Sequence, residues 1–354
     1  MPPEVTRGDP QPARGPGPAR WRRIAFAAIG AILSAAGIWW VFHAVDPDAL
    51  LGSSHRIRVL PLLGSLAVYW LGLVVLRGLL VRHLLAPVGR LHLLQAYRYI
   101  CIGFLANNVL PLRAGDVARS VAIHRGAGIG FASVVGGLAL ERMLDLALVA
   151  LLALGAIRVA PGLPDAVGTA ALGSAALLGA GFVVLAILAR RHRGSTIEPA
   201  GDEGAARSLA GRARALWLRF SAGFGAFGTA RGVVAAGGLA VGIWGLALGT
   251  MLLRLWAFDL EPSPAMALVL LAGLGFGVAV PSAPGYVGTY HAAAAFALSL
   301  FGVEHQVAAA FGLFSWIIDI GGSSLAGGIS LSIEGMRLGD LRRRSPPQGS
   351  SSAV

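Results

Sequence analysis

Three stretches of the sequence bring together residue types that could handle a charged ligand. The first reads Asn107-Asn108-Val109-Leu110-Pro111-Leu112-Arg113-Ala114-Gly115-Asp116-Val117-Ala118-Arg119. Asn is a favoured helix N-cap and Pro a favoured first-turn residue, so a half-helix is expected to begin near Pro111. Unpaired amides at such a start, together with the positive end of the helix dipole, attract anions. Arg113, Asp116 and Arg119 then follow at three-residue spacing on one side of the helix. Guanidinium groups offer bidentate donors to phosphate, and Asp116 would hold one of them in place. Asn107, Asn108, Arg113, Asp116 and Arg119 are therefore the phosphate-binding candidates. The plainer alternative is a hairpin at an interface whose arginines snorkel.

The second stretch is Glu141, Arg142 and Asp145 inside an otherwise apolar run. Glu141 and Asp145 are four apart on one helical face, and Arg142 is three before Asp145, close enough to pair with it. A charge network with Arg113 and Arg119 and a purely structural ion-pair cluster are both open, and the two can coexist. Asp319 is the matching lone acid of a later apolar run. The third stretch is Pro281-Ser282-Ala283-Pro284-Gly285-Tyr286-Val287-Gly288-Thr289-Tyr290-His291. Its prolines and glycines unwind a helix, which is tolerated at membrane depth only beside a cavity or protein partners. Pro281, Ser282, Pro284, Gly285, Tyr286, Gly288, Tyr290 and His291 thus form a second candidate wall, with polar tips suited to a head group or a sugar. A kinked helix with satisfied local bonds is the alternative. Arg77 and Arg254, near the ends of apolar runs, are expected to snorkel.

Other chemistries find no support. The eight histidines lack paired metal-ligand spacing, and no nucleotide-binding fingerprint or nucleophile elbow occurs. No metal and no cofactor are expected. The single Cys101 cannot form an internal disulfide.

The elements that must position these groups follow from composition. With 56% hydrophobic and 13% charged residues and a mean hydropathy of +0.71, the chain is a polytopic membrane protein. The 29 basic residues, all Arg, against 17 acids flank apolar runs, so membrane topology and anionic head groups explain the +12 charge better than nucleic acid does. Residues 1–20 are rich in Pro, Gly and Arg and are expected to be a disordered tail. Spanning runs are expected at Ile24 to Val45, Val59 to Val81, Gly130 to Ile157, Val167 to Ala189, Val233 to Phe258 and Val307 to Ile333.

Densely basic segments at 7–23, within the loop 190–232, and in the tail 334–354 belong in the cytoplasm by the positive-inside rule. That requires Leu91 to Arg125 to enter from the cytoplasm and return as a re-entrant hairpin. Ala265 to Leu300 is either a re-entrant hairpin or two short spans. Pro111-x-x-x-Gly115 recurs as Pro281-x-x-x-Gly285, each followed by an apolar helix bearing an acid, which leaves open an inverted-topology repeat of residues 24–158 and 167–333. The expected fold is all-α, with about six to eight transmembrane helices and one or two re-entrant hairpins, in one membrane domain over 24–333.

These motifs resemble the lysylphosphatidylglycerol synthase transmembrane region, or flippase-like domain, family. One signature, Asn-x-x-x-Pro-x-Arg-x-Gly-[Asp/Glu]-x-x-Arg, is met by Asn107, Pro111, Arg113, Gly115, Asp116 and Arg119. Glu-Arg-x-x-Asp is met by Glu141, Arg142 and Asp145, and Pro-x-x-Pro-Gly-x-x-Gly by Pro281, Pro284, Gly285 and Gly288. Family members commonly carry an acid where this chain has Tyr290 or His291. The synthases join this region to an aminoacyl-transferase domain that this chain lacks, so the resemblance implies lipid translocation without lysine transfer. The expectation is an inner-membrane protein that binds or moves a phosphate-bearing lipid: a phospholipid, an aminoacylated phospholipid or a polyprenyl-phosphate sugar. The alternatives are a membrane-embedded transferase on lipid-linked substrates and a non-catalytic accessory subunit. Its expected partners are anionic membrane lipids, with no nucleic acid; cargo, energy coupling and oligomeric state are not encoded visibly.

Overall fold

A computed structural model describes residues 57–110, 114–159, 209–279 and 284–337, with isolated positions 39, 173 and 339. The expected tail 1–20, the apolar runs at 24–45 and 167–189, and Pro111, Leu112, Arg113, Pro281, Ser282 and Ala283 lie outside the described residues. So do the Arg-rich loop up to 208 and nearly all of the tail beyond Arg337.

The described residues are helical, without strands. We number them α1 (Val59–Leu85), α2 (Leu93–Val109), α3 (Gly115–Ala127), α4 (Phe131–Val159), α5 (Leu209–Ala222), α6 (Ala230–Ala257), α7 (Pro264–Ala279), α8 (Thr289–Ser299) and α9 (His305–Ile333). Local sequence sets several boundaries. Gly128 ends α3 in the left-handed conformation, φ 69°. Thr229 caps α6 by accepting from the Gly232 amide at 2.9 Å. Pro264 occupies the first position of α7, where its missing N–H costs nothing. Helices α1, α6 and α9 are long and apolar enough to cross a membrane. At 29 residues α4 is just as long, but carries Glu141, Arg142 and Asp145.

Helices α2 and α3 form an antiparallel hairpin. A Cβ on Gly115 would lie 2.3 Å from both the Asn107 side chain and the Gly103 carbonyl, so the arms touch backbone to backbone. Further down, Gly126 is crossed by the Tyr99 hydroxyl. Helices α7 and α8 form a second hairpin on the same principle, with Gly277 against Thr289 and Ala293, and Gly273 against Ala297. The arms have 17 and 13 residues in the first and 16 and 11 in the second. About 20 residues are needed to cross a ~30 Å hydrocarbon core. The arms of Ala265 to Leu300 are shorter than that, as a re-entrant hairpin or two short spans would both have them.

The order helix, hairpin, helix therefore occurs twice, as α1, α2–α3, α4 and as α6, α7–α8, α9. Helices α1 and α6 pack antiparallel, with Gly72 against Leu246 and Gly242 against Leu76. The last helix of each triplet packs antiparallel on the first hairpin arm of the other. Gly155 of α4 meets Leu268 of α7, and Gly327 of α9 meets Cys101 and Leu105 of α2. Two apolar cores result, one around α1, α2 and α3 and one around α7, α8 and the first half of α9.

The two ends of the bundle differ in charge. One gathers the end of α1, the bases of α2 and α3, the starts of α4 and α6 and the end of α9. It is tied by His83 Nε2 with the Gly232 carbonyl at 3.0 Å and by Arg98 with Glu334 at 3.1 Å. Arg82, Arg90, Arg125, Arg219, Arg231 and Arg337 all lie there. At the opposite end, where the Arg58 amide donates to the Ala257 carbonyl and its guanidinium pairs with Asp259, lie the acids Asp259, Glu261 and Glu304 with Arg58 and Arg158.

Candidate functional site

Six charged side chains from three helices converge halfway along α4. Arg77 of α1 donates through Nη1 to Glu141 at 2.9 Å and to Asp145 at 2.8 Å, with Nη2 adding a bond to Asp145 at 3.2 Å. Arg119 of α3 forks onto the two oxygens of Glu141 at 3.2 and 2.6 Å. Arg142 places Nε and Nη2 on the two oxygens of Asp116 at 2.8 and 2.6 Å, and Nη1 on Asp145 at 3.3 Å. The Trp244 indole of α6 completes Asp145 at 3.2 Å. Three guanidinium groups against three carboxylates cancel. Each ionisable group at membrane depth costs roughly 2.5 to 3.5 kcal/mol on insertion scales, and bidentate pairing offsets that.

Burial is graded across the cluster. The Glu141 side chain is 0% and that of Arg119 3% exposed, whereas Asp116 and Arg142 are 43% and 42% exposed. Arg142 stands eleven residues into α4, roughly 17 Å from its start at 1.5 Å per residue. The accessible pair thus stands well inside the length of α4 rather than at its end. Helix α3 can approach α2 this closely because of Gly103, which leaves room for the Arg119 stem.

The two asparagines diverge. Asn107 accepts from the Gly115 amide at 2.8 Å, capping α3 from the opposite arm of the hairpin. Among the described residues the helix begins at Gly115, whose amide Asn107 meets. Asn108 points across to α9 and donates to the Ile320 carbonyl at 3.3 Å, Ser323 Oγ at 2.8 Å and Ser324 Oγ at 3.0 Å. Ile320 lies in a π-helical turn, Ile317–Gly321, whose extra residue frees a carbonyl from the regular ladder. A second π turn, Val68–Leu73, interrupts α1, and its Trp70 packs on Gly322.

Around the second hairpin, Asp319 is bound by Arg254 of α6 at 2.9 and 2.5 Å and by the Tyr290 hydroxyl of α8 at 2.8 Å. Gly285 and Tyr286 both take positive φ, 75° and 57°, and Gly288 follows at 86°. The Gly285 carbonyl accepts from the Trp316 indole at 2.6 Å, and His291 Nδ1 accepts from the Gly288 amide at 3.3 Å. Pro284 begins a short 3₁₀ turn ending at Tyr286, and that turn packs on α2, so the two hairpins meet near the middle of α9.

Arg77 and Arg254 do not snorkel. Arg254 is entirely buried and Arg77 nearly so, because each finds a carboxylate inside the bundle that water would otherwise have to replace. Asp319 joins Arg254 and Tyr290 and makes no ion pair with Glu141, Arg142 or Asp145, so the intramembrane charges form two clusters. One signal pointed to Arg254: it is the lone basic residue between Val233 and Ile333, and an isolated acid such as Asp319 requires a cation from another span.

The family model of the lysylphosphatidylglycerol synthase TM region matches residues 27–327. The chain belongs to this family. Both helical hairpins and both ion-pair clusters fall within the lysylphosphatidylglycerol synthase transmembrane region, which identifies a membrane protein concerned with lipid. No curated protein and no solved structure matches the chain.

Proposed function

We propose that this protein binds a phosphate-bearing membrane lipid by its head group and lets that head group cross between the two hairpins while the tails stay in the bilayer. The observation that carries this reading is the Asp116 and Arg142 pair: a half-exposed carboxylate and guanidinium well inside the length of α4, at the open end of a cluster otherwise sealed. Arg142 presents donors to a phosphate there, and Arg113, three residues before Asp116 in the sequence, would add a second cation. Arg119 has its fork on Glu141 and so acts as a post that holds α3 against α4. The Pro281 to His291 segment supplies the opposite wall.

The doubled order of helix, hairpin and helix, with each last helix on the other hairpin, supports an inverted-topology repeat over 24–158 and 167–333. The arginine-rich end of the bundle is the cytoplasmic one in this reading, with both chain termini on that side of the inner membrane. Purified protein in proteoliposomes containing fluorescent phospholipids tests the function. Scrambling should be present in the parent and lost in Arg113→Ala and in Arg142→Gln. Scrambling unchanged in both variants would remove the site assignment, and a parent without any scrambling would remove translocation itself.

A further inference from the structure

Helix α5 (Leu209–Ala222) contributes nothing to either ion-pair cluster, yet its surface is specific. Leu216 is 62% and Trp217 41% exposed, and Arg214 and Arg219 beside them are exposed as well. At about 100° per residue, Leu216, Phe220 and Trp217 fall in one sector about 100° wide, with Arg219 about 60° beyond one edge and Arg214 about 60° beyond the other. An apolar strip bordered by arginines on both sides, with an indole in the strip, is the chemistry of a helix lying in the head-group layer.

Its position fits. The C-terminal end of α5 is fixed to the first two turns of α4: Ser133 Oγ donates to the Arg219 carbonyl at 2.9 Å, and Cβ atoms on Gly136 or Gly223 would collide with the facing backbone. Rings step inward from exposed Trp217 to Phe220 at 5.8 Å and on to buried Phe224 at 5.1 Å. This contact lies at the arginine-rich end of the bundle, where the long apolar helices begin and end.

We infer that α5 is an interfacial helix, bedded in the membrane surface on the basic side, with Leu216 and Trp217 at the acyl boundary and Arg214 and Arg219 on acidic phospholipid head groups. Gly136, on which it rests, stands between about one and two turns before Glu141, so lipids gathered by α5 would lie beside the helix that carries Arg142. The inference rests on the membrane reading alone and holds whether or not lipid is moved.

Depth measurement by spin labelling tests it. Cys101, the chain's one cysteine, is buried, so Leu216→Cys offers a single reactive thiol on an exposed position. Reconstituted into vesicles containing phosphatidylglycerol, the label should collide more with oxygen than with a water-soluble nickel complex. Adding Arg214→Gln and Arg219→Gln, or replacing the acidic lipid with phosphatidylcholine, should shift it several-fold toward nickel. Val241→Cys, on an exposed face of the long apolar helix α6, should stay oxygen-rich throughout. A Leu216→Cys label that is equally nickel-accessible in both vesicle types overturns the inference and leaves a soluble partner as the occupant of this face. A label immersed regardless of lipid charge and of the arginines overturns the acidic-lipid assignment. A nickel-accessible Val241→Cys label would instead sink the membrane reading, and the proposed function with it.

Discussion

Arg254, without any accessible surface, donates through both terminal nitrogens to the two oxygens of Asp319, which joins α6 to the π turn of α9. Removing one partner of such a pair strands the other, at a cost of about 3 to 5 kcal/mol, whereas replacing both by apolar groups is often neutral. Arg254→Gln should therefore lower thermal stability in detergent sharply. The double variant Arg254→Met with Asp319→Leu should recover most of the loss. A double variant as unstable as the single one would mean that the pair itself, rather than the stranded charge, holds α6 to α9.

Arg77 and Arg142 belong to one cluster but should respond differently. Arg77→Gln deprives buried Glu141 and Asp145 of a shared cation and should destabilise by several kcal/mol, on the same scale of about 3 to 5. The Arg142 and Asp116 pair is half-exposed, so Arg142→Gln should cost no more than about 1 kcal/mol in stability. Lipid scrambling should nonetheless vanish in Arg142→Gln. Thermal melts alongside the proteoliposome assay read both, and the reverse order of stabilities would contradict the graded burial of the cluster.

Gly115 is where the arms of the first hairpin meet backbone to backbone. A methyl there meets the Asn107 side chain and the Gly103 carbonyl at 2.3 Å, and backbone cannot swing aside as a side chain can. Gly115→Ala should cost about 1 to 3 kcal/mol through forced separation of the arms. Gly237→Ala, in the middle of α6 with open space around it, should be neutral or stabilising by up to about 1 kcal/mol through helix propensity alone. Melting temperatures of the two variants, moving in opposite directions, are the expected result.

Asn108→Leu removes the donor that serves the Ile320 carbonyl, Ser323 and Ser324 together. An unsatisfied buried acceptor costs about 1 to 3 kcal/mol, and the loss is concentrated at the π turn. Hydrogen exchange over residues 317 to 324 should accelerate relative to the first half of α9. Unchanged protection there would show that the turn is held by packing on Trp70 instead.

The helices and hairpins were legible in the sequence because hydropathy and Pro-Gly breaks are local properties. Pairing between distant residues was not. Asn107 and Asn108 are neighbours of identical type, yet one caps the facing arm and the other reaches α9, a choice made by where those elements pack. Arg77 and Arg254 looked like interfacial residues because their distance from the ends of the apolar runs admits snorkelling. Only the acids of other helices, sixty-four or more positions away in the chain, draw them inward. Ser323 and Ser324 are small residues among the glycines of α9, and nothing local marks their hydroxyls as acceptors for Asn108. The helix α5 went unnoticed because its arginines merged with a longer basic run.

The exchange of last helices between the triplets also fixes the order in which the chain can fold. The first hairpin finds its main partner in α9, and the bond from Asn108 to Ser323 spans 215 positions. As the chain is synthesised, Asn108 and the close-packed face around Cys101 and Leu105 must wait through almost the whole of translation before their counterpart is inserted. Contacts this distant carry a large closure entropy and slow the final step. Chains truncated before α9 should therefore hold the first hairpin exposed to lipid or to the cell's quality control, and neither triplet should persist as an independent unit.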